Sequence, residues 1–119
     1  MHPDTDALKI AGIDTSLGLK RVGGKRERYE SLLRKFAERQ VGAAEAIRVA
    51  LSVGDVSAAE REAHSLKGAA STLGAAALAE QAAKVEVAIN TGQNVDEALE
   101  SLALALSAAV EAIRSAFAV

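Results

Sequence analysis

The stretch Ala63 to Gly74, AHSLKGAASTLG, sets the terms for the whole chain. Residues three and four apart are neighbours on a helix, so His64, Lys67 and Gly68 share one stripe, with Arg61 a turn before them and Ser71 a turn after. Ala63, Leu66, Ala70 and Leu73 recur at helical spacing on another face and form the apolar seam of a core-facing helix. Such a helix has a dry side that other helices must cover and a wet side that carries the histidine.

The flanking sequence supplies the cover. From Lys25 to Gln40 the seam is Tyr29, Leu32, Leu33 and Phe36; from Gly42 to Ser52 it is Ala43, Ile47, Ala50 and Leu51. Gly54-Asp55 closes that helix. Asp55 or Ser57 then caps the histidine helix, with Glu60 in reach of Ser57 as a capping-box partner. Ala75 to Thr91 carries Leu78, Ala82, Val85 and Ile89 and stops at Gly92. Asp96 opens a last helix striped by Leu99, Leu102, Leu106, Val110, Ile113 and Phe117. Before all of these, Asp14, Thr15 and Ser16 are N-cap candidates for a short helix ending near Arg21. Connections of a few residues force antiparallel neighbours. The expected fold is all-α, an antiparallel up-and-down four-helix bundle with one or two short additional N-terminal helices. Residues 1–12 read as a flexible leader, in which His2 beside Pro3 is an idle polar terminus, and residues 13–119 as the bundle.

Composition agrees and narrows the function. Alanine, the best helix former, occupies 27 positions, aromatics are 3% of the chain, and the single proline is at position 3. A chain of 119 residues buries about two-thirds of its unfolded surface, enough for a core without staples. The absence of cysteine excludes disulfides and thiolate metal sites. With two histidines and no HExxH-like ligand set, no metal site is expected. Lys+Arg 14 against Asp+Glu 16, with no sustained basic block, argues against nucleic acid. Gly23-Gly24 before Lys25-Arg26-Glu27-Arg28 lacks phosphate-loop spacing and reads as a turn and a solvated helix start. No run approaches the roughly 18 apolar residues of a membrane span, and no signal peptide is visible. A soluble, cytoplasmic monomer is the expectation.

The wet stripe has a chemical reading. Imidazole with a pKa of about 6.5 is mostly neutral at pH 7, so one ring nitrogen offers a lone pair to a phosphoryl group. Lys67 is placed to steady the added negative charge, a contact worth roughly 1.5–3 kcal/mol when formed. Gly68 costs the helix on the order of 1 kcal/mol relative to alanine. Its missing side chain leaves room for another molecule's active site to reach the ring.

His64-Ser65-Leu66-Lys67-Gly68, with Gly74 six residues on, resembles the HxLKGxxxxxG motif of histidine-containing phosphotransfer (HPt) domains of multistep two-component relays. Ile13-Asp14, Gly18-Leu19-Lys20-Arg21 and YESLLRKF from Tyr29 to Phe36 resemble that family's entry segment and first long helix. Gly54-Asp55 with Ala59-Glu60-Arg61, and Leu78, Ala79, Ala82 and Ala88-Ile89, resemble the approach to its histidine helix and the helix after it. The resemblance implies that His64 is the phosphoacceptor, Lys67 the stabilising charge, and Gly68 the clearance for a docking partner. It implies a phosphocarrier with no kinase or phosphatase activity of its own. The partners would be response-regulator receiver domains, which would bring the Mg²⁺ and the reacting aspartate; the domain would stand alone or form the tail of a hybrid sensor histidine kinase. Arg61, Ser71 and Lys84 are candidate rim contacts for the partner. The competing expectation is a scaffolding bundle in which the histidine is silent.

Overall fold

The structure, a computed structural model, describes residues 5–117, and among them every regular element is a helix. The order is α1 (Thr5–Ile10), α2 (Thr15–Arg21), α3 (Arg26–Gln40), α4 (Ala43–Ser52), α5 (Val56–Leu73), α6 (Ala76–Thr91) and α7 (Val95–Ala116). The three-residue connection 53–55, the pair 74–75 and the segment 92–94 are short and each carries a residue of positive φ, at Gly54, Gly74, and Gly92 with Asn94, that reverses the chain, so the helices they join pack as antiparallel neighbours. The helix α5 packs most extensively on α6, and α6 on α7. The remaining edge of the bundle is filled jointly by α3 and α4. Only Val41 and Gly42 separate them, Val41 keeps right-handed helical dihedrals, and both helices lie against α5 and α7. The sequence predicts two helices here, and together they act as the fourth stave.

The expected seams are buried. On α5 these are Ala63, Leu66, Ala70 and Leu73; on α6 Leu78, Ala82, Val85 and Ile89; on α7 Leu99, Leu102, Leu106, Val110 and Ile113. Tyr29, Leu33 and Phe36 are buried on α3, and Ala43 and Ile47 on α4, with Leu32, Ala50, Leu51 and Phe117 half-buried at the margins. No polar or charged residue is fully buried among the described residues. Asp55, rather than Ser57, caps α5, its carboxylate accepting from the Ala58 N–H at 3.1 Å. The helix α7 starts one residue before Asp96, because Asn94 turns the chain in a left-handed conformation and leaves Asp96 and Glu97 in the first turn, where the helix dipole favours them.

The C-terminal end of α5 is moored to the N-terminal elements through two glycines. Gly74 has a positive φ of 85°, and a Cβ there would run into the Asp14 carbonyl; the Gly74 carbonyl accepts from the Asp14 N–H at 2.9 Å. A Cβ at Gly18 would collide with the Leu73 carbonyl and the Tyr29 ring. The Tyr29 hydroxyl fits into that space and donates to the Leu73 carbonyl at 2.7 Å, and burial, with the nearby Asp14 charge, pushes its pKa up to about 12. This is why the entry segment and α3 hold α5 in one orientation.

Residues 5–12 fall within the expected flexible leader, yet they are part of the folded bundle. Thr5–Ile10 is helical and packs on α7 and α2; Leu8 is fully buried, and its carbonyl accepts from the Ile13 N–H at 2.9 Å. A single inward leucine in a six-residue helix leaves no periodic seam to read, which hides it in the sequence. His2 and Pro3 lie outside the described residues.

Candidate functional site

Nearly the whole outward face of α5 is polar or bare because its inward face is alanine and leucine, and His64 stands in the middle of it. The imidazole is 72% exposed. Its Nδ1 lies 3.4 Å from Oε2 of Glu86 on α6, while Nε2 makes no hydrogen bond to any described residue. A carboxylate brings no proton at neutral pH, so Nδ1–H donates and the lone pair is left on Nε2. A helix-to-helix contact therefore selects which nitrogen is nucleophilic.

Lys67 sits one turn along the same stripe and also meets Glu86, its Nζ 2.8 Å from Oε1. That oxygen is shut off from solvent and forms no directed hydrogen bond, so the ammonium is the charge that compensates it. Burial alone would raise the Glu86 carboxyl. The Lys67 ammonium, helped by His64, outweighs burial and holds it below the usual 4.5. Glu86 is thus ionised at neutral pH and shared by the two residues on which the chemistry depends. Lys67 is not the free cation that its place on the wet stripe suggests; it is 37% exposed and tethered.

At Gly68 a Cβ would meet nothing within 4 Å, so the surface beside the ring is open. Arg61, Glu60 and Ser57 line a shallow hollow with His64 and Glu86. Ser71 is engaged from α2: the Arg21 guanidinium donates to the Ser71 carbonyl and lies 3.4 Å from its hydroxyl. Lys84 is not brought to this group. It pairs with Glu80 at 3.7 Å and lines the groove between α6 and α7, two residues and about 200° around the helix from Glu86. No three His, Cys, Asp or Glu side chains stand together as metal ligands among the described residues. No helix there is long and apolar enough to cross a membrane.

Sequence reasoning passed over Glu86 and Arg21. Glu86 had a visible signal, being four residues after Ala82 and three before Ile89, a lone acid at the edge of an apolar seam. Arg21 had none, since its contact with Ser71 spans 50 residues.

What the geometry defines is an all-α bundle presenting one exposed, oriented imidazole with a cation at its side. The family model of the Hpt domain matches residues 31–116. Among solved structures, the crystal structure of the HPT domain from a sensor hybrid histidine kinase of Shewanella is similar in fold: its TM-score is 0.75 at 18% identity, covering 87% of this chain and 92% of that one. No curated protein matches by sequence. The chain belongs to the Hpt domain family, whose members are phosphocarrier modules of two-component phosphorelays rather than kinases.

Proposed function

We propose that His64 accepts a phosphoryl group from the aspartyl phosphate of a receiver domain and passes it to the aspartate of another. The observation that carries this reading is the Nδ1 contact to Glu86, which leaves Nε2 as the free nucleophile on an exposed ring. The receiver approaches over Gly68, where no side chain stands in the way. Lys67 swings from Oε1 of Glu86 to a phosphoryl oxygen, a move that its flexible four-carbon stem allows. Mg²⁺ and the acceptor or donor carboxylate belong to the receiver, where the cation screens the charge that the reaction displaces. The domain supplies orientation and one cation, and acts as a monomer in the cytoplasm.

The test uses a phosphorylated receiver domain with Mg²⁺ and no nucleotide. Acid-labile, alkali-stable phosphate should appear on the wild type and vanish in His64→Gln. A wild-type chain that takes no label from receivers, nor from a small phosphoramidate donor, would leave the scaffolding reading in its place.

A further inference from the structure

The charges around His64 balance before phosphorylation and must be rearranged after it, and the rearrangement falls on Glu86. Its Oε1 is closed to solvent and compensated by Lys67 at 2.8 Å; its Oε2 faces Nδ1 of His64 at 3.4 Å. A phosphoryl group on Nε2 brings up to about two negative charges and draws the ammonium toward itself. A shielded carboxylate that loses its cation is costly. The other charged groups of the hollow are Glu60 and Arg61, both on α5, Glu60 half-buried and Arg61 exposed; α2, α3, α4 and α7 line none of it, and Lys84 and Glu80 are paired elsewhere. Arg61 is exposed and forms no ion pair with Glu86, so, Lys67 aside, the group already in contact with Glu86 that can gain positive charge is the imidazole itself.

The transfer step provides that charge. The Nε2 lone pair forms the N–P bond as the P–O bond of the aspartyl phosphate breaks, and the aspartate leaves with the electron pair. The Nδ1 proton takes no part, so the ring ends as a phosphoimidazolium, one unit more positive than before. Unless something holds that proton, water can take it. Here it already points at Glu86.

We infer that Glu86 exchanges its ion pair with Lys67 for one with the phosphorylated ring, and thereby keeps phospho-His64 in the imidazolium form, the better leaving group for onward transfer. This rests on the phosphoacceptor reading and adds a control to it: Glu86 is a positioning residue that acts through the ring and sets how readily the phosphoryl group moves on. An opposite charge within about 4–6 Å shifts a titration by about 1–3 pH units. A contact of 3.4 Å, partly open to water, belongs near the lower end of that range.

The experiment loads the full chain, as wild type and as Glu86→Gln, with potassium phosphoramidate, which needs no receiver. Phosphorus and nitrogen NMR track the phosphohistidine from about pH 5 to about pH 10, and onward transfer to a receiver with Mg²⁺ is timed over the same range. In Glu86→Gln the Nδ1 proton should leave about one pH unit lower; transfer should match wild type near pH 5.5 and be about tenfold slower near pH 8.5. Glutamine keeps the shape and can still accept a hydrogen bond, so a purely structural role would move neither curve. Coincident ring titrations, or a deficit of the same size at every pH, would overturn this inference and leave the carrier reading standing. Failure of phosphoramidate to label His64 in the wild type would overturn the carrier reading and this inference with it.

Discussion

Replacing Gly68 by glutamine should separate stability from function. The position is interior to α5, and a side chain added there meets no atom within 4 Å, so the domain itself has no objection to it. Alanine in place of glycine stabilises a helix interior by about 0.8–1 kcal/mol, and glutamine, a somewhat weaker helix former, by about half to three-quarters of that. With an unfolding entropy of about 2.1 cal/mol/K per residue, that gain raises the Tm of a chain this size by about 2–3 °C. Transfer should move the other way. The receiver must bring its reacting atoms to about 3–3.5 Å from Nε2, and a misplacement of about 1 Å costs on the order of 100-fold. A glutamine one turn from the ring stands in that approach. The assay pairs a circular-dichroism melt with rapid-quench transfer from a phosphorylated receiver, and uses phosphoramidate labelling as a control that should stay within about twofold, because a small donor needs little clearance. Unimpaired receiver transfer with a raised Tm would refute the clearance argument; a lowered Tm would refute the open surface on which it stands.

Lys67→Ala should slow receiver transfer about 10- to 100-fold by removing one charge-assisted contact to the phosphoryl group, read by the same quench assay. It should also cost about 1 kcal/mol in urea unfolding, because it leaves a shielded Glu86 oxygen uncompensated while the pair is itself partly exposed. The Glu86 carboxyl is held below its usual 4.5, so its contribution to stability is fully present above that value and fades as pH falls through the lower folded value. The stability gap between wild type and Glu86→Gln should therefore be flat above about pH 5 and shrink toward about pH 3; a gap unchanged across that range would contradict the shift. Leu8→Ala should cost about 2–3 kcal/mol in the same unfolding assay, as for a buried leucine, whereas a cost under about 0.5 kcal/mol would mean that α1 does not help to hold the bundle.

Helices with long periodic seams were legible because burial repeats at helical spacing: Leu99 through Ile113, or Leu78 through Ile89, can lie in one line only on a helix. The stripe of His64, Lys67 and Gly68 was legible for the same reason, as local geometry alone fixes it. What escaped has two physical origins. The helix α1 is too short for a period, and its one buried leucine says nothing until α7 is placed against it. Glu86 acquires its role from a different helix, 22 residues from His64, through packing that no local pattern encodes. The same gap hid the tether on Lys67, which reads as a free cation until α6 is in position.

The reach of Glu86 depends on how closely α6 lies on α5, and small buried residues on both helices permit a close approach. Ala59, Ala63 and Ala70 on α5, and Ala82 on α6, are all fully buried, and this is the most extensive helix pair in the molecule. Helix axes pack about 8–10 Å apart depending on the side chains between them. A glutamate has a short stem, so contact with both Nδ1 of His64 and Nζ of Lys67 requires the near end of that range. Ala63 precedes His64 and lies one turn before Lys67, where added volume would act as a wedge. Ala63→Val should cost about 1–3 kcal/mol from overpacking and, without altering any group in the site, loosen Glu86 from the ring. Nitrogen NMR of His64 should then show a mixture of the two neutral tautomers where the wild type shows the Nδ1–H form, and transfer should fall in proportion to the Nε2-nucleophilic fraction. If the valine variant is destabilised yet keeps the wild-type tautomer, close packing of the alanine face serves the fold alone, and the coupling between core and nucleophile fails.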